Sequence, residues 1–376
     1  MSEITIKEVT SRSEWKTFIY LPEKIHQNHP NWLHPLYIDE EKFFDKKKNP
    51  AFSHNDTVLF LAYQNNQAVG RIMGIIPHEY NHKENTQVAR FSYMECYEDQ
   101  KVFDALIQAV EEWAKSKKCT QLIGPMGFSD KEPQGFVTRG FDEPTMLVTN
   151  CTFAYMKAFI EQRDYQPFVE LYEYEVLIDE QVIHRYERFT KRVERNSDIK
   201  VVEFTRTKDV KPYVSTVFDL INESYQNIYG FTQVTEEEKQ EFANRFLPLL
   251  NPQLIKIITN SEGKALAFVV AMADMSQGIR KAKGRLFPFG WYHIWRAAKK
   301  SKRLVLLLGG VHPERQNKGY DAILATRLFK SALKLGFKTM DSHLIMKDNT
   351  KMRAEIERLE GYRLYKEYTI YKKEIV

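Results

Sequence analysis

An internal repeat limits how this chain can fold. Residues 58–76 read as a hairpin of two apolar, β-rich runs around Asn65-Asn66, and residues 254–272 read as another around Ser261-Glu262-Gly263. Gly70 and Ala267 hold equivalent places in these hairpins, 197 residues apart. The same offset separates Tyr165 from Tyr362, which open YQPFVELYEY and YRLYKEYTIY near the end of each half. Between these landmarks each half carries a strand, a long helix and another strand. The helices span residues 102–115 and 320–335, and the second keeps Ala322, Leu324, Leu328, Phe329, Ala332 and Leu335 at helical spacing. One order repeated at one offset implies a duplicated unit. A chain of 376 residues has room for two such units, since single cores rarely grow past about 250–300 residues. The expected organisation is α/β: one domain over residues 1–178, a helical joint over 179–198 and a second domain over 199–376. The joint carries Val182, Ile183, Tyr186, Phe189 and Val193 on one face, and its charges are expected to form a solvated face.

Charge and cysteine usage narrow the function classes. The net charge of +5 suits small anionic ligands and gives no sign of DNA binding. Three cysteines without metal or redox spacing fit a reducing compartment. The N-terminal segment has no apolar signal core, and no run approaches the ~20 residues of a membrane span. A cytoplasmic protein with no integral membrane segment is expected. His26, His29 and His34 have no matching ligand set, so no metal site is expected. No Gly-x-Ser-x-Gly nucleophile motif is present.

The segment from Leu304 to Leu333 carries the chemistry. A buried strand ends near Val311, Pro313 ends strand pairing, and Gln316-Asn317-Lys318-Gly319-Tyr320-Asp321 leads straight into a helix. Backbone N–H groups converge at such a helix start, and the helix dipole adds about half a positive charge there. Arg315 and Lys318 bring full charges beside it, so a diphosphate fits the pattern. Asp321 is expected to cap the helix.

This loop resembles the acyl-CoA-binding loop of the GNAT acyltransferase superfamily, with Gln316 on its Gln/Arg position, Gly319 on its central Gly, and Asp321 where a Gly or Ala normally stands. The segment after the next strand resembles the family's closing part, with Asn349 on its Asn and Gly361-Tyr362 near its Gly-Phe. The resemblance covers residues 201–373 and implies two tandem GNAT-like domains, each a mixed, mostly antiparallel sheet flanked by helices. It also implies acetyl-CoA or a longer acyl-CoA as substrate, an unknown amine as acceptor, and N-acyl transfer as the reaction. The matching loop in the first half is Cys96-Tyr97-Glu98-Asp99-Gln100-Lys101, which has no Gly and two carboxylates. Like charge there opposes a diphosphate, so the cofactor-sized substrate is expected in the second half. Two other readings share this fold: a non-catalytic acyl-CoA-binding protein, and an aminoacyl transferase resembling the Fem family, for which tRNA would be a partner.

Acyl transfer to an amine needs a base for the ammonium and an acid for the thiolate. The strand before the loop has no carboxylate, and the helix after Asn349 has Glu355 and Ile356 rather than the family's tyrosine. The remaining candidates are Asp341 and His343, two apart and hence expected on one strand face, with His312, Tyr362 and Tyr365 nearby. Residues 275–313 hold no Asp or Glu but nine Lys and Arg, and enclose GRLFPFGWYHIW. Trp291, Ile294, Trp295 and Ala298 form a stripe at helical spacing. This insertion reads as a lid, as a contact to an acidic membrane surface, or as a helix packed on its own domain. The Gly- and Pro-rich stretch 124–146 is loop-like and a candidate part of an acceptor pocket.

Overall fold

Each copy of the repeat builds the same half-sheet. The computed structural model describes residues 3–147, 149–195 and 198–375. In the first copy, β1 (Ile4–Glu8), β2 (Asn55–Gln64), β3 (Gln67–Pro77) and β4 (Val88–Cys96) run antiparallel in sequence order, and β5 (Gln121–Gly124) joins β4 in parallel. A short β6 (Phe136–Arg139) and a long β7 (Gln166–Leu177) follow. In the second copy, β8 (Lys200–Glu203), β9 (Ile255–Thr259), β10 (Ala265–Ala273) and β11 (Arg303–Val311) repeat the antiparallel run. There β12 (Thr339–Met346) joins β11 in parallel. The hairpin turn at Asn65-Asn66 has φ of +51° and +61°, the conformation that a two-residue turn between twisted strands requires. Gly70 pairs with Cys96 and Ala267 with Val311, so the repeat holds in three dimensions.

The copies close each other. The last strand of the first copy, β7, pairs with β12 of the second. The last strand of the chain, β13 (Arg363–Glu374), lies between β5 and β7. The sheet therefore runs β1-β2-β3-β4-β5-β13-β7-β12-β11-β10-β9-β8, with β6 also on β13. The two sequence halves do not map onto two self-contained halves of the sheet.

Parallel pairing in each copy covers three residues only: Val88–Arg90 with residues 121–123, and Arg303–Val305 with residues 339–341. Beyond Val305 and Asp341 the strands part, and β11 continues to Val311 along the edge of a wedge. In the first copy this wedge is filled. The Met126 N–H donates to the Phe91 carbonyl at 2.8 Å, and the Arg90 guanidinium holds the Gly127 and Phe128 carbonyls at 3.2 and 2.8 Å. Phe91 and Phe136 lie buried in the same core.

The helix Tyr320–Lys334 buries Ile323, Leu324, Leu328, Phe329 and Ala332 against Val176, Leu304, Leu306 and Met340 of the sheet. The joint is a helix over Glu180–Arg195, and its charges are not simply solvated. Glu187 binds Lys330 at 2.7 Å and Glu194 binds Arg327 at 2.8 Å, which clamps the joint along the helix 320–334. Among the described residues, no helix is long and apolar enough to cross a membrane.

Separately produced fragments 1–178 and 179–376 should each fail to fold, because each lacks the strand that covers its central edge. Co-expressed, they should copurify and melt in one transition. Circular dichroism and size exclusion of each fragment alone check this.

Candidate functional site

The strand–loop–helix unit after β11 is open. Asn317 and Gly319 adopt left-handed conformations, with φ of +61° and +79°. They turn the chain so that the helix begins at Tyr320 without a side-chain cap. Among the described residues, the N–H groups of Asn317 through Asp321 donate to no backbone or side-chain acceptor. Gln316, Asn317 and Lys318 are exposed. Arg315, Lys318 and Tyr320, with Asp198, Asn260, Ser261, Glu262 and Leu266, line a cleft of about 420 Å³ beside the loop. The free donors and the two cations at the helix start favour a polyanion, against the Asp198 and Glu262 carboxylates of the same cleft. Gly319 is required there: a Cβ would lie 2.8 Å from the Phe189 ring of the joint helix, on a backbone that L side chains rarely adopt. The first copy differs at the same place. Its helix Gln100–Ser116 is capped by Asp99, whose carboxylate takes the Lys101 N–H at 2.9 Å.

Asp321 does not cap, contrary to expectation. It sits inside the first turn and faces Glu355, whose carboxyl is raised by burial and then by the Asp321 charge. The loop amides therefore remain free. Gln316 accepts from the Lys351 ammonium at 3.1 Å, which ties the loop to the helix Thr350–Glu357. Asn349 is the N-cap of that helix and accepts from the Met352 N–H at 3.2 Å. Val311 ends β11 in register with Ala267, at the mouth of the wedge. His312 is held by Glu223 at 3.0 Å.

A buried polar cluster occupies the apex of the wedge, on the sheet face opposite the helix 320–334. Alternation along β7 sends Tyr174 and Val176 to the helix side and Glu173 and Glu175 to the other. Asp341, at the point where β11 and β12 part, is 1% exposed, and Glu173 is fully buried. The Tyr365 hydroxyl donates to Asp341, and the Tyr368 hydroxyl donates to Glu173 at 2.7 Å. One Glu173 oxygen has no partner among the described residues. Burial, and then the neighbouring Glu173 charge, hold the Asp341 proton well above the usual carboxylate range. Burial and the neighbouring carboxylate thus favour the protonated form of Asp341, the kind of shift that acid–base groups carry. Buried Lys366 stands opposite Glu173 in the β13–β7 register.

His343 departs from the expected shared face with Asp341. A bulge separates Asp341 from Leu344 in the pairing with β7, and His343 has φ of +58°. Its backbone N–H donates to Asp341 at 2.9 Å, while its ring Nδ1 accepts the Leu344 N–H. Burial pushes this imidazole down to about 4. It is therefore neutral at pH 7 with its proton on Nε2, a hydrogen-bond donor rather than a base. Tyr362 is 43% exposed and packs on Tyr174, on the helix side of the sheet. The phenol that joins Asp341 is Tyr365. Glu173 was not singled out by sequence reasoning, because a Glu in the alternating ELYEYE reads as an ordinary solvent-facing strand position.

The loop-like stretch after β6 covers this cluster. Gly140 has φ of +80°, and a Cβ there would lie 2.1 Å from the Tyr365 carbonyl. Glu143 binds Arg363, and the Pro144 carbonyl faces the Lys366 ammonium at 3.5 Å. The Thr145 hydroxyl is buried with no partner among the described residues. The first copy thus supplies the roof over polar groups that the second copy and the exchanged strands supply.

No family profile matches the chain. It is 28% identical over 99% of its length, and 98% of the relative's, to the "Bacterial ceramide synthase" of Caulobacter vibrioides. It is 26% identical over 98% of its length, and 95% of the relative's, to "Protein YghO" of Escherichia coli K12. Among solved structures it is similar to a tandem GNAT protein from the clavulanic acid biosynthesis pathway, with a TM-score of 0.57 and 12% identity over 100% of this chain and 99% of that one. It is also similar to a GCN5-related N-acetyltransferase from Sphaerobacter thermophilus, with a TM-score of 0.51 and 10% identity over 99% and 96% of the two chains.

The raised Asp341 carboxyl has a measurable consequence. A carboxyl whose folded pKa exceeds its unfolded one stabilises fully below about pH 4, and that contribution is lost as pH rises toward the folded value. The difference in stability between wild type and Asp341→Asn should therefore shift against wild type as pH rises from 4. Thermal melts across the pH range read the difference.

Proposed function

The chain has the tandem GNAT fold, and we propose that it is an acyl-CoA-dependent N-acyltransferase acting on the amine of a long-chain amino alcohol. One observation carries the reading. Among the described residues, only the second copy's wedge has an uncapped helix start with Arg315 and Lys318 beside it and a buried carboxyl, Asp341, at its apex, where β7 of the first copy brings Glu173. The first copy caps the equivalent helix and fills the equivalent wedge. The acceptor class rests on the full-length relative named ceramide synthase. A ceramide is the amide of a fatty acid with a long-chain amino alcohol, so the acyl donor is a long-chain acyl-CoA rather than acetyl-CoA.

The roles follow from the chemistry of each group. Arg315, Lys318 and the amides of residues 317–321 take the diphosphate, with Gln316, Tyr320 and Asp321 shaping the turn. Val311 and the unpaired edge of β11 guide the acyl-bearing arm toward the apex. The amine nitrogen attacks the thioester carbonyl, a C–N bond forms and the C–S bond breaks. The His343 Nε2–H is placed to donate to the carbonyl oxygen as charge develops. The amine proton passes to the Asp341–Glu173 pair, and the proton that the pair gives up goes to the departing thiolate. Asn349 acts by fixing the helix that holds Gln316. Tyr362 lies on the far face and takes no step in this scheme.

Thiol release from palmitoyl-CoA in the presence of sphinganine, with mass-spectrometric detection of the amide, tests the proposal. Asp341→Asn should lower kcat by roughly 10²–10⁴-fold, as expected for loss of a general base, and leave CoA affinity intact. Gly319→Val should weaken CoA binding by at least about tenfold, the size expected when a backbone anion cradle is blocked. Tight CoA binding without thiol release for any long-chain amine would reduce the protein to an acyl-CoA binder.

A further inference from the structure

The insertion between β10 and β11 forms a helical hairpin, Ser276–Ala282 and Gly290–Lys300, whose tip is Phe287-Pro288-Phe289. The stripe of Trp291, Ile294, Trp295 and Ala298 is split. Ile294, Ala297 and Ala298 are half-buried, whereas Trp291 and Trp295 are 55% and 53% exposed. Phe287 and Phe289 at the tip are 77% and 69% exposed, and Tyr292 stacks on Trp295. We infer that this hairpin docks the protein on an anionic lipid bilayer.

Three observations select that occupant. Large aromatic side chains at the tip and along one helix match the headgroup level of a membrane, where an apolar body and a polar rim are both accommodated. Behind them, Lys281, Lys283, Arg296, Lys299 and Lys300 are exposed, and among the described residues none has a carboxylate partner. Residues 275–313 contain no acid at all. This charge is complementary to anionic headgroups and opposes pairing with a second copy of the same surface. The Lys299 ammonium lies over the Trp295 ring at 5.3 Å, so a cation and an aromatic face reach the headgroup layer together.

The hairpin is fixed rather than tethered. Arg285 binds Glu23 of the first copy through two contacts, at 3.1 and 2.7 Å, and lies over the Tyr37 ring at 4.9 Å. The Tyr37 N–H donates to the Gly284 carbonyl at 3.0 Å. The second helix leads directly into Arg303, the first residue of β11, and so to the wedge apex. A docked hairpin therefore sets the buried carboxyl pair at a defined orientation to the lipid surface. The docking does not depend on which acceptor the site uses.

Sedimentation with vesicles of phosphatidylcholine, alone or with about one third phosphatidylglycerol, tests the inference. The wild-type protein should bind the anionic vesicles with a blue shift of tryptophan fluorescence. Trp291→Ser with Trp295→Ser should lower that binding by roughly tenfold or more, and so should Phe287→Ser with Phe289→Ser. Removing Arg296, Lys299 and Lys300 charges as glutamines should abolish the preference for anionic lipid. All these side chains are exposed, so thermal melts of the variants should match wild type. The inference is overturned by absence of vesicle binding, or by binding that these substitutions do not change. It is equally overturned if the aromatic variants instead abolish a dimer or tight binding of poly(U). Thiol release in detergent micelles, without a bilayer, reads the transferase proposal separately.

Discussion

The antiparallel pairing of β7 with β13 holds the molecule together. These strands come from the ends of the two copies, and each sits beside the other copy's parallel strand. Each copy is therefore completed by backbone hydrogen bonds that the other provides, and the sheet is continuous across the join. The same pairing sets the chemistry. Glu173 arrives on β7, Tyr365 and Tyr368 arrive on β13, and Asp341 waits on β12. No single copy contains the whole cluster.

Duplication followed by specialisation explains why one copy is open and the other is shut. Both split β4 from β5, or β11 from β12, after three paired residues, so both inherit a wedge. The first copy fills it with Met126 and Phe136 and caps the helix start with Asp99. Its remaining loop crosses the face of the central strands and roofs the carboxyl pair. Burial under that roof raises the Asp341 carboxyl, while the neutral His343 beside it keeps a donor on Nε2.

Much of this was legible in the residues. The Asn65-Asn66 turn, the strand–helix–strand order and the open loop at Gly319 follow from local rules of turn chemistry and periodicity. The exchange of β7 and β13 was not, because the two strands are copies of one pattern and either would fit beside either partner. The left-handed residues Asn317 and Gly319 delay the helix start, which moves Asp321 from the expected cap into the first turn. In β13, a bulge between Leu364 and Lys366 brings in Tyr365 rather than Tyr362. The Trp291–Trp295 stripe left three readings open, because helical spacing shows that residues share a face but not whether that face meets protein.

The exchanged strand also constrains biogenesis. Residues 363–374 are made long after β5, whose strand is complete by residue 124, yet they cover its edge. During synthesis that edge must stay unpaired, with its N–H and C=O groups open to any passing strand, until β13 has left the ribosome. Such a nascent chain would call on chaperone protection, and its yield in a cell would follow the rate of translation as much as the stability of the finished fold.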